Sequence, residues 1–143
     1  MLKRFLRVLD QPFAASAALL VLRVVAGIAF ILHGFGKIQA PFSWMGPNAP
    51  VPGFLQALAA LAEFGGGIAW ILGLLTPLAS LGIAITMAVA VWTHAMVLGD
   101  PFFAKGGGGS YEPASIYLCV ALVLIFVGPG RFSADAAIFG RKT

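Results

Sequence analysis

The chain has 143 residues, 60% of them hydrophobic and only 10% charged, with a formal net charge of +4. A mean hydropathy of +0.98, and a charged fraction well below the roughly one quarter usual in soluble domains, exclude an ordinary water-soluble fold and read as an integral membrane protein. The basic excess sits at the termini beside apolar runs, so its counterion is a lipid headgroup, and nucleic acid is not an expected partner.

At the N-terminus, Leu2, Phe5, Leu6 and Leu9 share one helical face while Lys3, Arg4 and Arg7 fall elsewhere, the pattern of a short interfacial helix on an anionic leaflet. The first apolar run, Ser16 to Phe35, follows these cations in the manner of a signal peptide. Arg23 breaks the apolar region and no small-x-small site follows, so the first helix is expected to be retained. A segment rich in proline (Pro41, Pro47, Pro50 and Pro52) cannot sustain a helix, and its Trp44 suits the membrane interface. The second run extends from Phe54 to Leu75 and carries Glu63. Thr76-Pro77 reads as an N-cap with proline at the first helical position, opening the third run, Leu78 to Leu98, straight after the second.

Gly99 and Gly128 are placed to end the third and fourth helices. Between those helices lies Asp100 to Ser110, whose four glycines form a flexible connector rather than a phosphate cradle. The fourth run, Pro113 to Val127, needs Ser110 to Glu112 to approach a full crossing. After Gly128-Pro129-Gly130, Ser133 is a plausible cap for a second surface helix carrying Phe132, Ala136, Ala137 and Phe139. The expected fold is therefore all-α, one domain over residues 1–143. It is a four-helix transmembrane bundle with spans at about 13–37, 54–75, 77–98 and 112–128, and with amphipathic interfacial segments at both termini.

Four spans place both termini on one side, which then carries Lys3, Arg4, Arg7, Arg131, Arg141 and Lys142 against Asp10 and Asp135. The opposite loops hold Lys37 and Lys105 against Asp100 and Glu112 and are neutral. The positive-inside rule then puts both termini in the cytoplasm of a bacterium, with the protein in its inner membrane. Cys119 is the single cysteine, so no intrachain disulfide forms.

Charges within the spans mark the candidate site, because an isolated ion at the bilayer centre costs about 3 kcal/mol on insertion scales and normally finds a partner. If the helix ends are level, Arg23 is about 15 Å below His33 and Glu63 about 14 Å below the outer end of the second helix. An Arg23–Glu63 ion pair is then expected. A second group gathers toward the outer surface: His33 and Lys37 one turn apart, His94 near the end of the third helix, and Glu112 in the first turn of the fourth. His33, His94 and Glu112 could converge on an outward-opening pocket and exchange protons there, with Arg23, Lys37, Glu63 and Trp70 contacting a bound molecule.

A divalent metal on His33, His94 and Glu112 lacks a compact ligand motif, and haem between His33 and His94 lacks any other signal. No metal site is therefore assigned. Gly27, Gly34 and Gly65-Gly66-Gly67 allow close helix packing.

The stretch Leu22-Arg23-Val24-Val25-Ala26-Gly27-Ile28-Ala29-Phe30-Ile31-Leu32-His33-Gly34-Phe35-Gly36-Lys37 resembles the signature of the DoxX family of small bacterial membrane proteins. Glu63 before glycines, His94 followed by Phe102-Phe103, a glycine run leading to Tyr111-Glu112, and the exit Gly128-Pro129-Gly130-Arg131-Phe132-Ser133-Ala134-Asp135 are similar to that family's pattern. The resemblance implies a four-helix membrane protein associated with quinone-linked redox chemistry, with Arg23, His33, Lys37, Glu63, His94 and Glu112 on the family's polar positions. The leading expectation is a membrane subunit that binds a quinone and depends on a soluble redox partner for electrons. A homodimer is a reasonable assembly. The alternatives are a module that binds or passes a small anion or solute, drawn by Arg23, and a scaffold for soluble redox enzymes.

Overall fold

The computed structural model describes residues 6–49 and 51–142. A first helix, α1, spans Phe13–Gln39, followed by α2 (Gly53–Leu72), α3 (Thr76–Trp92), α4 (Glu112–Phe126) and a short α5 (Ala134–Phe139). α3 continues through Thr93–Val97 as a π-turn, in which Leu98 N donates to Thr93 O at 2.9 Å. The three helical stretches Phe13–Gln39, Gly53–Leu72 and Thr76–Val97 are each long and apolar enough to cross a membrane. α4, at 15 residues, rises about 22 Å, short of a ~30 Å hydrocarbon core.

The helices share one apolar core. Phe30 from α1, Trp70 from α2, Ile83 and Met87 from α3, and Ala121 and Leu124 from α4 are buried together. Phe30 lies edge-on to Trp70 at 5.3 Å and to Tyr117 at 4.9 Å. The lipid-facing sides carry exposed Val21, Val25, Leu32, Leu61, Ile85 and Val89, as expected where the solvent is hydrocarbon.

Glycine sets the spacing and register of α1 against α2. A Cβ on Gly34 would stand 2.5 Å from Phe64 N, and one on Gly27 would stand 2.7 Å from Gly67 O. These glycines are consumed by helix contact, which is the small-residue packing anticipated for them. Facing Gly34 with Phe64 sets Glu63 level with about Phe35. Arg23 is twelve residues lower, about 18 Å along the axis.

Helix ends follow partly local and partly distant chemistry. Gly73, at φ +64, ends α2 in the left-handed conformation, and Gly99 and Gly128 turn the chain at φ +70 and +81. Ser133 caps α5 as its sequence suggests, accepting from Ala136 N at 3.2 Å. Thr76 does not act as the cap of α3. The capping position is Leu75, at φ 48, and the Asp135 carboxylate accepts from Leu75 N at 2.7 Å and Thr76 N at 2.8 Å.

The proposed N-terminal interfacial helix is not formed where the structure describes it. Leu2 to Phe5 lie outside the described residues, while a strand β1 (Val8–Leu9) pairs in parallel with β2 (Arg141–Lys142). Leu6 and Val8 are buried, because the two terminal segments pair with each other. The end of the bundle where they meet is called here the terminal end, and the opposite one the loop end.

Candidate functional site

The Arg23–Glu63 pair expected from sequence does not form, because the glycine-set register holds the two residues far apart. Arg23 belongs to the terminal end. It is fully buried; its Nη1 donates to Pro129 O at 2.6 Å and its Nη2 to Phe132 O at 2.8 Å. Short α4 leaves this non-helical backbone inside the bundle, where carbonyls without partners are costly. The guanidinium fork supplies the missing donors. Asp135, also fully buried, serves the complementary purpose for the N–H groups that open α3, and its own N–H donates to Gly73 O at 2.9 Å.

Glu63 instead pairs with Lys37. From the last turn of α1 the ammonium donates to Glu63 Oε1 at 2.6 Å and Oε2 at 2.7 Å. Glu63 is 2% exposed, while the Lys37 side chain is 26% exposed and so opens toward the loop end. Trp44 lies over the ammonium, 4.6 Å from ring centroid to Nζ, a cation–π contact that replaces part of the lost hydration. The indole is fixed by its Nε1 donating to Gln56 O at 3.0 Å.

Gln56 was not singled out by the sequence reading, yet it organises this cover. Its Oε1 accepts from Met45 N at 3.1 Å, and its Nε2 donates to Val51 O at 2.8 Å. It is 3% exposed, so a single buried amide ties the proline-rich loop to the start of α2. The available signal was a lone Gln three residues into an apolar helix.

The remaining candidates are dispersed. His33 is exposed, and its ring meets Tyr117 at a centroid distance of 6.4 Å. Gly66 packs on Ile83 and Gly82 on Ala62, setting Glu63 level with about Ala84. His94 is then about 15 Å nearer the loop-end surface. There its Nδ1 shares a hydrogen bond of 2.7 Å with Asp100 Oδ2, a partner the sequence reading missed six residues further along. Glu112 is half-buried at the start of α4, where its N–H donates to Phe102 O at 3.0 Å.

Among the described residues, no group of three or more His, Cys, Asp and Glu side chains is placed to hold a metal ion. Trp70, considered for ligand contact, is fully buried and donates to Ser80 Oγ at 2.9 Å. It is a core residue.

Two clefts open at the terminal end. One of about 320 Å³ is lined by Arg131, Phe132, Ser133, Ala136, Ala137 and Arg141. The other, of about 230 Å³, includes Leu6, Leu9, Pro77 and Phe126 in its walls. Neither is lined by His33, Lys37, Glu63, His94 or Glu112, so neither is the outward-opening pocket anticipated from sequence.

With Arg23 in α1, Glu63 and its glycines in α2 and His94 at the end of α3 now placed, comparison with known proteins is decisive. The family model of DoxX matches residues 18–96. The chain belongs to the DoxX family. It is similar to "Inner membrane protein YqjF" of Escherichia coli (strain K12), 34% identical over 128 residues that cover 84% of this chain and 91% of that protein. An uncharacterized membrane protein of Mycobacterium tuberculosis is 29% identical over 138 residues, 88% of this chain and 84% of its own length. "Putative oxidoreductase CatD" of Bacillus subtilis (strain 168) is 29% identical over 126 residues, 86% and 88% of the two chains. No solved structure gives a significant match. In this DoxX chain the matched region holds Arg23, His33, Lys37, Glu63 and His94, whereas Glu112 and Asp135 lie beyond it.

Proposed function

We propose that this DoxX protein is the membrane subunit of a redox system and holds a quinone-class ring at the loop end of its bundle, with Lys37 and Glu63 as the headgroup contacts. The observation that carries the reading is the Lys37–Glu63 pair, a carboxylate buried to 2% exposure and joined to an ammonium that reaches toward the loop end. Ion pairs of this kind repay their desolvation poorly as structural elements, and ionisable groups inside a membrane bundle mark functional paths. The name of the Bacillus relative, "Putative oxidoreductase CatD", supports the same direction.

Lys37 donates to a ring carbonyl, and Trp44, now covering the ammonium, gives a flat surface beside which the ring stacks when the loop shifts. Quinone reduction to quinol takes two electrons and two protons. The electrons come from a soluble partner, since the chain's side chains supply no redox centre of their own. His33, Glu112 and the His94–Asp100 pair stand on the loop-end side as proton exchangers. Because Asp100 holds Nδ1 of His94, Nε2 is the nitrogen left for exchange. Arg23, on which the anion-permeation alternative relied, has both Nη atoms committed to backbone carbonyls.

The test is binding of a short-chain ubiquinone analogue to the purified protein in detergent. Lys37→Met and Glu63→Gln should each weaken binding at least about tenfold, the loss of one charge-assisted contact. His94→Ala should leave affinity intact and slow quinol formation when an electron donor is supplied. Unchanged affinity in both Lys37→Met and Glu63→Gln overturns the reading.

A further inference from the structure

The larger of the two clefts at the terminal end is separate from the loop-end site, and its chemistry is cationic. Arg131 and Arg141 both line it. Arg131 Nη2 donates to Gln11 O at 2.9 Å and stands 3.8 Å from Asp10 Oδ1, while Arg141 Nη1 reaches the same carboxylate oxygen at 3.2 Å. Two guanidinium groups thus share one acid, leaving a surplus positive charge. Arg131 Nε is buried without a hydrogen-bond partner, while the Arg131 and Arg141 side chains remain 32% and 49% exposed, so their guanidinium groups are reachable from the cleft.

Position adds a second element. Arg131 N donates to Ser16 Oγ at 3.3 Å, which places the cleft beside the first turn of α1, where the apolar span begins. Phe13 and Ile138, 67% and 62% exposed, lie in the same terminal region, and Phe13 packs edge-on against the cleft residue Phe132 at 5.4 Å. Guanidinium groups bordered by exposed hydrocarbon match a phosphate ester carrying acyl chains better than a free anion.

We propose that the cleft between Arg131 and Arg141 seats the phosphodiester headgroup of an anionic phospholipid, with acyl chains running along Phe13 and Ile138. The bound lipid neutralises the charge that Asp10 leaves uncompensated. It also bridges the C-terminal segment to the start of α1, so occupancy stabilises the folded protein by linkage.

The experiment titrates dioleoyl phosphatidylglycerol, dioleoyl phosphatidylcholine or inorganic phosphate into the purified full-length protein in dodecyl maltoside. Bound lipid is counted by native mass spectrometry and the melting temperature is followed in parallel. Phosphatidylglycerol should bind and raise Tm, and phosphatidylcholine should do so far less. Arg141→Gln, at an exposed side chain, should weaken phosphatidylglycerol binding about fivefold, the worth of one basic residue at an anionic surface. Asp10→Asn should strengthen it, and Arg131→Gln should weaken it further if that variant folds. Equal response to the two lipids, a full Tm rise with inorganic phosphate alone, or unchanged lipid binding in both Arg141→Gln and Asp10→Asn overturns the proposal.

Discussion

Arg23 is held in an apolar bundle chiefly by backbone carbonyls that it bonds directly, with the buried Asp135 carboxylate as the opposite charge that acts on it. Its fork answers the Pro129 and Phe132 carbonyls beyond the short fourth helix. Arg23→Met should therefore destabilise the protein by about 3 kcal/mol, the loss of two charged hydrogen bonds with their acceptors left buried. Arg23→Lys should recover part of this at most, because an ammonium lacks the fork that reaches both oxygens. Thermal unfolding in detergent checks both, and wild-type stability in Arg23→Met would refute the structural role.

The Lys37–Glu63 pair carries a different residue-scale expectation. Either Lys37→Met or Glu63→Gln alone strands a partner and should cost about 3 kcal/mol, whereas Lys37→Met with Glu63→Met together should return close to wild-type stability. A double variant that loses as much as the two single losses added together would show that the two residues act independently.

Between helices, what was legible in the sequence and what was not separate mostly by range, Thr76 being a local cap signal that Asp135 overrides. The apolar runs gave the helices, Gly99 and Gly128 gave their stops, and Ser133 gave a cap, because each signal acts within a few residues. The relative height of two helices is not encoded that way. Equating the level of His33 with the start of the second span put Glu63 opposite Arg23, but contact of Gly34 with Phe64 and Gly27 with Gly67 sets a different offset. For the same reason Asp135 could not be read as the cap of a helix starting 59 residues earlier. Lys37 and Glu63 were each recognised as unusual, while their pairing and the Gln56 hub depend on tertiary contact.

The packing account makes its own prediction at this scale. Gly34→Ala, with a Cβ thrust 2.5 Å from Phe64 N, should cost about 1–3 kcal/mol through overpacking. Gly36→Ala, only two residues away but facing open space, should be neutral or slightly stabilising through helix propensity. A similar loss in both variants would contradict the register.

For the molecule as a whole, the structure brings Arg7 and Asp10 to the same end as Arg131, Asp135 and Arg141 through the β1–β2 pairing and the Arg131–Gln11 bond. Lys37, Asp100 and Glu112 belong to the other end, so the charge asymmetry read along the chain is also an asymmetry in space. Among the described residues only the terminal end carries a cationic excess, and under the positive-inside rule it is expected on the cytoplasmic side. A fluorescent protein fused after the last residue should be bright, and alkaline phosphatase fused after Gly107, in the glycine connector, should be active. Moving the excess tests the cause rather than the correlation: Arg131→Gln with Arg141→Gln reduces it while three basic residues precede Asp10 at the N-terminus. Because charges ahead of the first span usually dominate insertion, this variant should keep the fusion pattern. Neutralising Lys3, Arg4 and Arg7 should instead produce a mixed one, and an unmixed, unchanged pattern there would mean that something other than terminal charge orients the bundle.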